Sequence, residues 1–140
     1  MKSIIIRLLT VALSSGFTVA ALSQDLNGAW TLRIDDLKHK ELSLLTIRFT
    51  EKVAPSCIGG NWKRVVVDRS KTTDKVFFPI SEPLSYEIVG SEITIGRNEV
   101  CDGYLHLRGK LDGEKAQGTY SGFGMGGGNE LGYFQLSRNR

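Results

Sequence analysis

The chain has 140 residues, 41% hydrophobic and 24% charged, which is the composition of one folded domain and not of a disordered chain. Its 18 Lys and Arg stand against 15 Asp and Glu; two of the cations, Lys2 and Arg7, lie among the first 23 residues, so the rest of the chain holds 16 against 15. A balance that close to neutral excludes a general electrostatic case for binding nucleic acid or an anionic membrane surface.

Lys2 and Arg7 form a basic start, followed by the apolar stretch Leu8 to Ala21. Ala21-Leu22-Ser23 puts small residues where a signal peptidase reads, which predicts cleavage before Gln24, with a cut after Ala20 or Ala21 as the neighbouring alternatives. The apolar run is about 14 residues, short of the ~20 that a spanning helix needs, so no membrane span is expected after cleavage. The expected division is a signal peptide over 1–23 and one domain over 24–140, in a periplasmic or secreted protein.

From Gln24 onward apolar residues recur with period two, the mark of half-buried strands. Trp30, Leu32 and Ile34 share one face against Thr31 and Arg33, and Leu45, Ile47 and Phe49 alternate with Thr46, Arg48 and Thr50. A third strand is expected over Asn61 to Asp68, with ambiguous faces: Trp62 and Val66 compete with Val65 and Val67. Val76 to Ile80 is a short apolar run cut by Pro79 and Pro83, which implies a strand edge or a sharp bend, since proline donates no ladder hydrogen bond. Leu84, Tyr86 and Ile88 then alternate, Gly90-Ser91 turns the chain into Ile93 and Ile95, and Leu105, Leu107 and Leu111 share a face against Tyr104, His106, Arg108 and Lys110. Asp112-Gly113 is a strong hairpin signal that returns the chain through Ala116, Gly118 and Tyr120. A glycine-rich loop over Ser121 to Asn129 precedes a last strand in which Phe134, Leu136 and Arg138 share a face.

These segments predict an all-β protein of eight to nine short strands, with no interior boundary for a second domain. A continuous antiparallel sheet of that length must close or split, because exposed edges invite aggregation. A single antiparallel barrel is expected, with a two-sheet sandwich as the alternative. Cys57 and Cys101 are the only cysteines, and in an oxidising compartment the economical reading is one disulfide between them. The alternatives are two free thiols or part of a metal site, but zinc would need further ligands, and neither His39 nor His106 sits at ligand spacing from a cysteine.

Leu26-Asn27-Gly28-Ala29-Trp30 opens the first strand and Phe134-Gln135-Leu136-Ser137-Arg138 closes the last. This Gly-x-Trp opening with a terminal-strand Arg resembles the small bacterial lipocalin-like and avidin-like barrels of the calycin type. The resemblance implies a barrel with the tryptophan plugging one end and the arginine packed across it. Lys110-Leu111-Asp112-Gly113 with Gly118-Thr119-Tyr120 is similar to the hairpins of avidin-like and small bacterial inhibitor barrels. The aromatic and polar set by which avidins hold biotin is not recognisable, so biotin is not implied. The residues themselves point to the same closure: Trp30 and Arg138 each share parity with the apolar face of their strand, so adjacent first and last strands would lay the guanidinium over the indole. The alternative is an independent core tryptophan with a solvated arginine.

Gly122-Phe123-Gly124-Met125-Gly126-Gly127 is a literal G-x-G-x-x-G, but a dinucleotide site needs a helix after it, and a strand-like run follows. No Gly-x-Ser-x-Gly elbow is present; His106 reads as a solvated strand residue and His39 as part of a charged connector. Asp35-Asp36 falls short of the six or more oxygens of a calcium site. No catalytic residue, metal or cofactor is expected. Two loops are expected to recognise a partner: Ser56 to Trp62, carrying Ile58 and Trp62, and Ser121 to Asn129, carrying Phe123, Met125 and Asn129. Phe123 and Met125 folded back as a barrel-end plug is the competing possibility. The expected function is non-catalytic binding by an exported β-barrel, of a small apolar ligand or of a protein through its end loops. The alternatives are a periplasmic inhibitor of a protease or lysozyme, or a structural envelope-associated protein with no soluble ligand.

Overall fold

The structure is a computed structural model that describes residues 25–140; the signal segment expected over 1–23 lies outside the described residues. Eight antiparallel strands follow one another around a closed barrel: β1 (Ala29–Asp36), β2 (Glu41–Val53), β3 (Lys63–Thr72), β4 (Leu84–Val89), β5 (Glu92–Arg97), β6 (Tyr104–Asp112), β7 (Lys115–Gly124) and β8 (Gly127–Arg138). No helix occurs among the described residues, and none is long and apolar enough to cross a membrane. This is the all-β barrel that the alternation predicts, and it is consistent with a lipocalin-like architecture.

Inward parity explains the core. Trp30, Leu32 and Ile34 of β1 face Leu45 and Ile47 of β2, and the series continues around the wall through Ile93, Ile95, Leu107, Leu111, Tyr120, Phe134 and Leu136, all buried. The two candidate faces of β3 resolve in favour of Val65, which is buried, and Val67, which packs against the core. A bulge then shifts the β2–β3 register, so that Ile47 pairs with Val67 while Thr46 pairs with Arg69, leaving Asp68 as the extra residue. At Gly118 strands β6 and β7 approach so closely that a Cβ would lie 2.0 Å from the Arg108 carbonyl oxygen. The buried side chains of the core cluster fill the interior.

Both ends are plugged. At one end β1 and β8 meet in register from Trp30↔Arg138 to Asp36↔Gly132. The Arg138 guanidinium carbon lies 5.2 Å from the centre of the fully buried Trp30 ring, and the Trp30 indole N–H donates to the Leu26 carbonyl at 3.1 Å. Arg138 also donates to the Asp25 carbonyl and lies 3.6 Å from its carboxylate. At the other end the segment 73–83 turns back over the mouth. Phe78 is fully buried, and Phe77 and Phe78 both pack edge-on against Tyr120, whose hydroxyl donates to the Phe77 carbonyl.

One expectation is corrected here and one choice is decided. Of the two readings of Val76 to Ile80, the sharp bend holds and the strand edge does not: the run is the turn-rich plug, held by Asp74, whose carboxylate accepts from the Val76 and Phe77 N–H groups, and carries Pro79, which cannot donate to a ladder. Ser121 to Asn129 is not a long loop: past a bulge at Tyr120/Ser121, β7 and β8 run on as a hairpin from Ser121↔Glu130 to Gly124↔Gly127, and β7 also stays paired with β6 as far as Tyr104↔Phe123, so ladder hydrogen bonds order even this glycine-rich stretch.

Arg138→Ala should lower the Tm by about 5 °C, since a partly desolvated guanidinium–indole stack contributes ~0.5–2 kcal/mol. Calorimetry of the variant checks this; an unchanged Tm would show that the contact does not stabilise the closure.

Candidate functional site

The connection between β2 and β3 leaves the barrel at the Trp30 end and does not stay there. Its base is tied where the Ala54 N–H donates to the Trp62 carbonyl at 2.9 Å. From there it runs along the outer wall over β4 and β5: the Asn61 N–H donates to Glu87 Oε1 at 2.6 Å, and the Cys57 N–H donates to the Asn98 carbonyl at 2.9 Å. Asn98 and Cys101 lie in the β5–β6 connection, at the Phe78 end. The disulfide Cys57–Cys101, with Cα atoms 5.5 Å apart, therefore fastens a strap from one end of the barrel to the other.

Beneath the strap is a second, smaller core on the outside of the sheet. Trp62 is buried, its indole N–H donates to the Gly59 carbonyl at 3.0 Å, and its ring lies 5.6 Å from that of His106. His106 is an outward-facing residue of β6, read from the sequence as solvated; the strap buries it instead. Its ring lies flat across β5 because its partner there is Gly96, where a Cβ would stand 2.5 Å from His106 Cδ2. His106 Nε2 lies 2.6 Å from Asn98 Oδ1, and Asn98 Nδ2 donates to Ser85 Oγ at 3.3 Å. With the amide oxygen turned to the imidazole, the network assigns the proton to Nε2 of a neutral ring. Burial, and secondarily the Arg108 charge, push the His106 pKa down to about 4.

The β7–β8 hairpin continues this outer core to the surface. Phe123 packs edge-on against His106, with centroids 4.8 Å apart, and stacks on its cross-strand partner Tyr104 at 5.1 Å. Phe123 is 37% exposed and Met125, at the tip, 94%. Asn129 is exposed on the returning strand and lines a shallow cleft with Asp102, Gly103 and Phe123. The structure thus brings the two expected recognition segments together, through the chain of rings Trp62, His106, Phe123 and Tyr104. Ile58 is half-buried on the strap. Trp62, expected at the surface, is a correction: it supports the patch from below, because the strap folds back over the ring that its own exit carries. Phe123 and Met125 form no plug; Phe77 and Phe78 hold that place.

Tyr104 and His106 were not among the expected recognition residues. Their outward parity was visible in the alternation of β6, but an outward residue becomes part of a site only when something packs on it, and the strap comes from far away in the sequence. The G-x-G-x-x-G run leads into β8 and not into a helix, so no helix N-terminus is there to hold a phosphate. Among the described residues no three His, Cys, Asp or Glu side chains gather in a way that would hold a metal ion.

Two measurements follow from this geometry. Reducing Cys57–Cys101 removes a cross-link that closes a loop worth up to ~4 kcal/mol in the chain-entropy model, so the Tm should fall by several degrees and the Trp62 emission should shift to the red as the strap lifts. His106 has a folded pKa below its unfolded value, so it contributes nothing above about pH 6.5 and increasingly destabilises the fold as pH falls towards 4, by about 3 kcal/mol in all. Denaturant titrations of the protein and of His106→Gln across that window check it: the variant should lose most of the slope. Searches against protein-family models, curated proteins and solved structures find no match to this chain.

Proposed function

We propose that this is an exported, non-catalytic binding protein that holds a protein partner through the outer patch formed by Phe123, Met125, Tyr104 and the disulfide-bound strap. The observation that carries the reading is Met125, 94% exposed at the tip of a hairpin whose neighbouring Phe123 is fixed by two ring contacts. An apolar tip on an ordered support offers contact area with little ordering cost on binding. The filled interior supports a protein over a small apolar ligand, since a ligand inside would have to displace Trp30, Tyr120, Phe78 or Phe134. The basic, apolar amino-terminal segment and the disulfide support export to an oxidising compartment, periplasmic or secreted.

The hairpin also favours a narrower form of this reading, inhibition of a protease or lysozyme. Past Tyr120↔Gly132 the two strands of the hairpin run beyond the end of β1, which pairs with β8 only as far as Asp36↔Gly132. On its other side β6 flanks the hairpin as far as Tyr104↔Phe123, so the turn around the exposed Met125 is what stands clear of the wall and suits insertion into a cleft.

The test is a pair of affinity captures from extract of the exporting host, with the native protein and with F123S/M125S. A partner retained by the native protein should bind the variant at least about 30-fold more weakly, the loss of a hot spot of ~2 kcal/mol; M125S alone, at a side chain 94% exposed, should weaken binding at unchanged Tm, which separates lost contact from the lost packing of Phe123 on His106 and Tyr104. Equal retention by both proteins would overturn the reading.

A further inference from the structure

The barrel is closed, yet one of its strands keeps a free edge. β3 pairs with β4 only at Lys63, Arg64 and Val65, because β4 begins at Leu84 directly after Pro83, which cannot donate to a ladder. β3 continues to Thr72 on its pairing with β2, so the side of Val66–Thr72 that faces away from β2 has no neighbouring strand among the described residues. The segment 73–83 does not replace the missing strand. It makes no backbone hydrogen bond to Val66–Thr72, and its aromatic residues turn inward as the barrel plug.

Between this edge and the plug lies a cleft of about 540 Å³, lined by Val67, Ser70, Thr72, Lys75, Ile80 and Ser81. Its floor is apolar through Val67 and Ile80, both packed against the core, and Thr72 Oγ1 is buried there without a hydrogen-bond partner. The charges around it are unequal in a telling way. The acids are engaged: Asp68 with Arg48 at 2.8 Å, Asp74 with two backbone N–H groups, and Glu82 with Arg97 at 2.7 Å. Among the described residues Arg69, Lys71 and Lys75 form no ion pair.

The geometry points to a second binding site, distinct from the hairpin patch, in which an extended acidic peptide adds as a strand to the free edge of β3. The edge supplies the backbone hydrogen bonds of strand addition, the Val67–Ile80 floor takes alternate apolar side chains, and Arg69, Lys71 and Lys75 meet the carboxylates. A strand edge recognises peptide backbone and not charge alone, which separates this occupant from a polyanion such as nucleic acid or polyphosphate.

The test uses the full disulfide-bonded protein and a fluorescent peptide of alternating Glu and Val, read by polarisation. Binding is expected, with amide shifts in a nitrogen–proton spectrum confined to Val66–Thr72 and the 75–81 segment. The same peptide N-methylated on alternate residues, which keeps its charge but cannot pair along one edge, should bind at least about tenfold more weakly; so should the unmodified peptide with R69E/K71E, whose substitutions are exposed and leave the core intact. Equal binding of the methylated peptide, displacement by inorganic polyphosphate at equal charge, or shifts centred on the hairpin patch would each overturn the proposal, as would no binding by a protein whose Tm is unchanged.

Discussion

An eight-stranded barrel encloses a space just wide enough for side chains to fill, and here Trp30, Tyr120, Phe78 and Phe134 fill it. The arrangement depends on the seam between β1 and β8, where register places Arg138 beside Trp30. A fully buried indole needs a partner for its N–H, and the chain entering the barrel supplies one at Leu26. Asp25 in turn holds the arginine that covers the ring. The seam, the plug and the incoming chain are one interaction. Once it is made, the buried side chains of the core occupy the inside.

The outer wall is unusual in carrying a core of its own. Outward residues of a barrel in water are expected to be polar and exposed, and Ser85 of β4 and His106 of β6 are polar, yet both are buried, together with Asn98 of the β5–β6 connection. They are satisfied by one another, as the high cost of unpaired polar groups at low dielectric requires. What shields them is a glycine-containing strap whose ordering is costly in entropy, offset by the disulfide at its tip and by Trp62 near its root. The disulfide therefore does more than limit the unfolded ensemble. It keeps His106 dry, and so keeps the surface on which Phe123 rests in place.

The architecture was legible in the sequence because alternation is a local signal: Trp30–Leu32–Ile34, Leu45–Ile47–Phe49 and Phe134–Leu136 each declare a face without help from elsewhere. The seam was legible for a related reason, since parity alone puts Arg138 on the Trp30 side once the first and last strands are neighbours. The site was legible only in part. Glycine content made Ser121 to Asn129 read as a loop, because composition reports intrinsic freedom and not the cross-strand pairing that resumes past the bulge at Tyr120/Ser121 and runs from Ser121↔Glu130 to Gly124↔Gly127. The burial of His106 and Trp62 depends on a contact between segments far apart in the chain, which no periodicity encodes. Phe77 and Phe78 looked like a broken strand because an apolar run between prolines is the same pattern whether it joins a sheet or stops a barrel mouth.

The two ends of the barrel divide the labour. At the Trp30 end, two of the connections are tight turns, at Gly90-Ser91 and Gly113-Glu114, and the third is drawn away along the wall. At the Phe78 end lie the projecting hairpin, the disulfide-linked turn, the plug and the free edge of β3. An unpaired edge is ordinarily a route to self-association, and natural sheets guard such edges with charge. Arg69 and Lys71 do this for β3: a second copy pairing edge to edge would set like charges opposite one another, at a cost in every pair. The same residues that exclude another copy of this chain leave the edge open to a strand of opposite sign. Protection and recognition there rest on one set of side chains, so selection against aggregation and selection for an acidic partner favour the same residues at that edge.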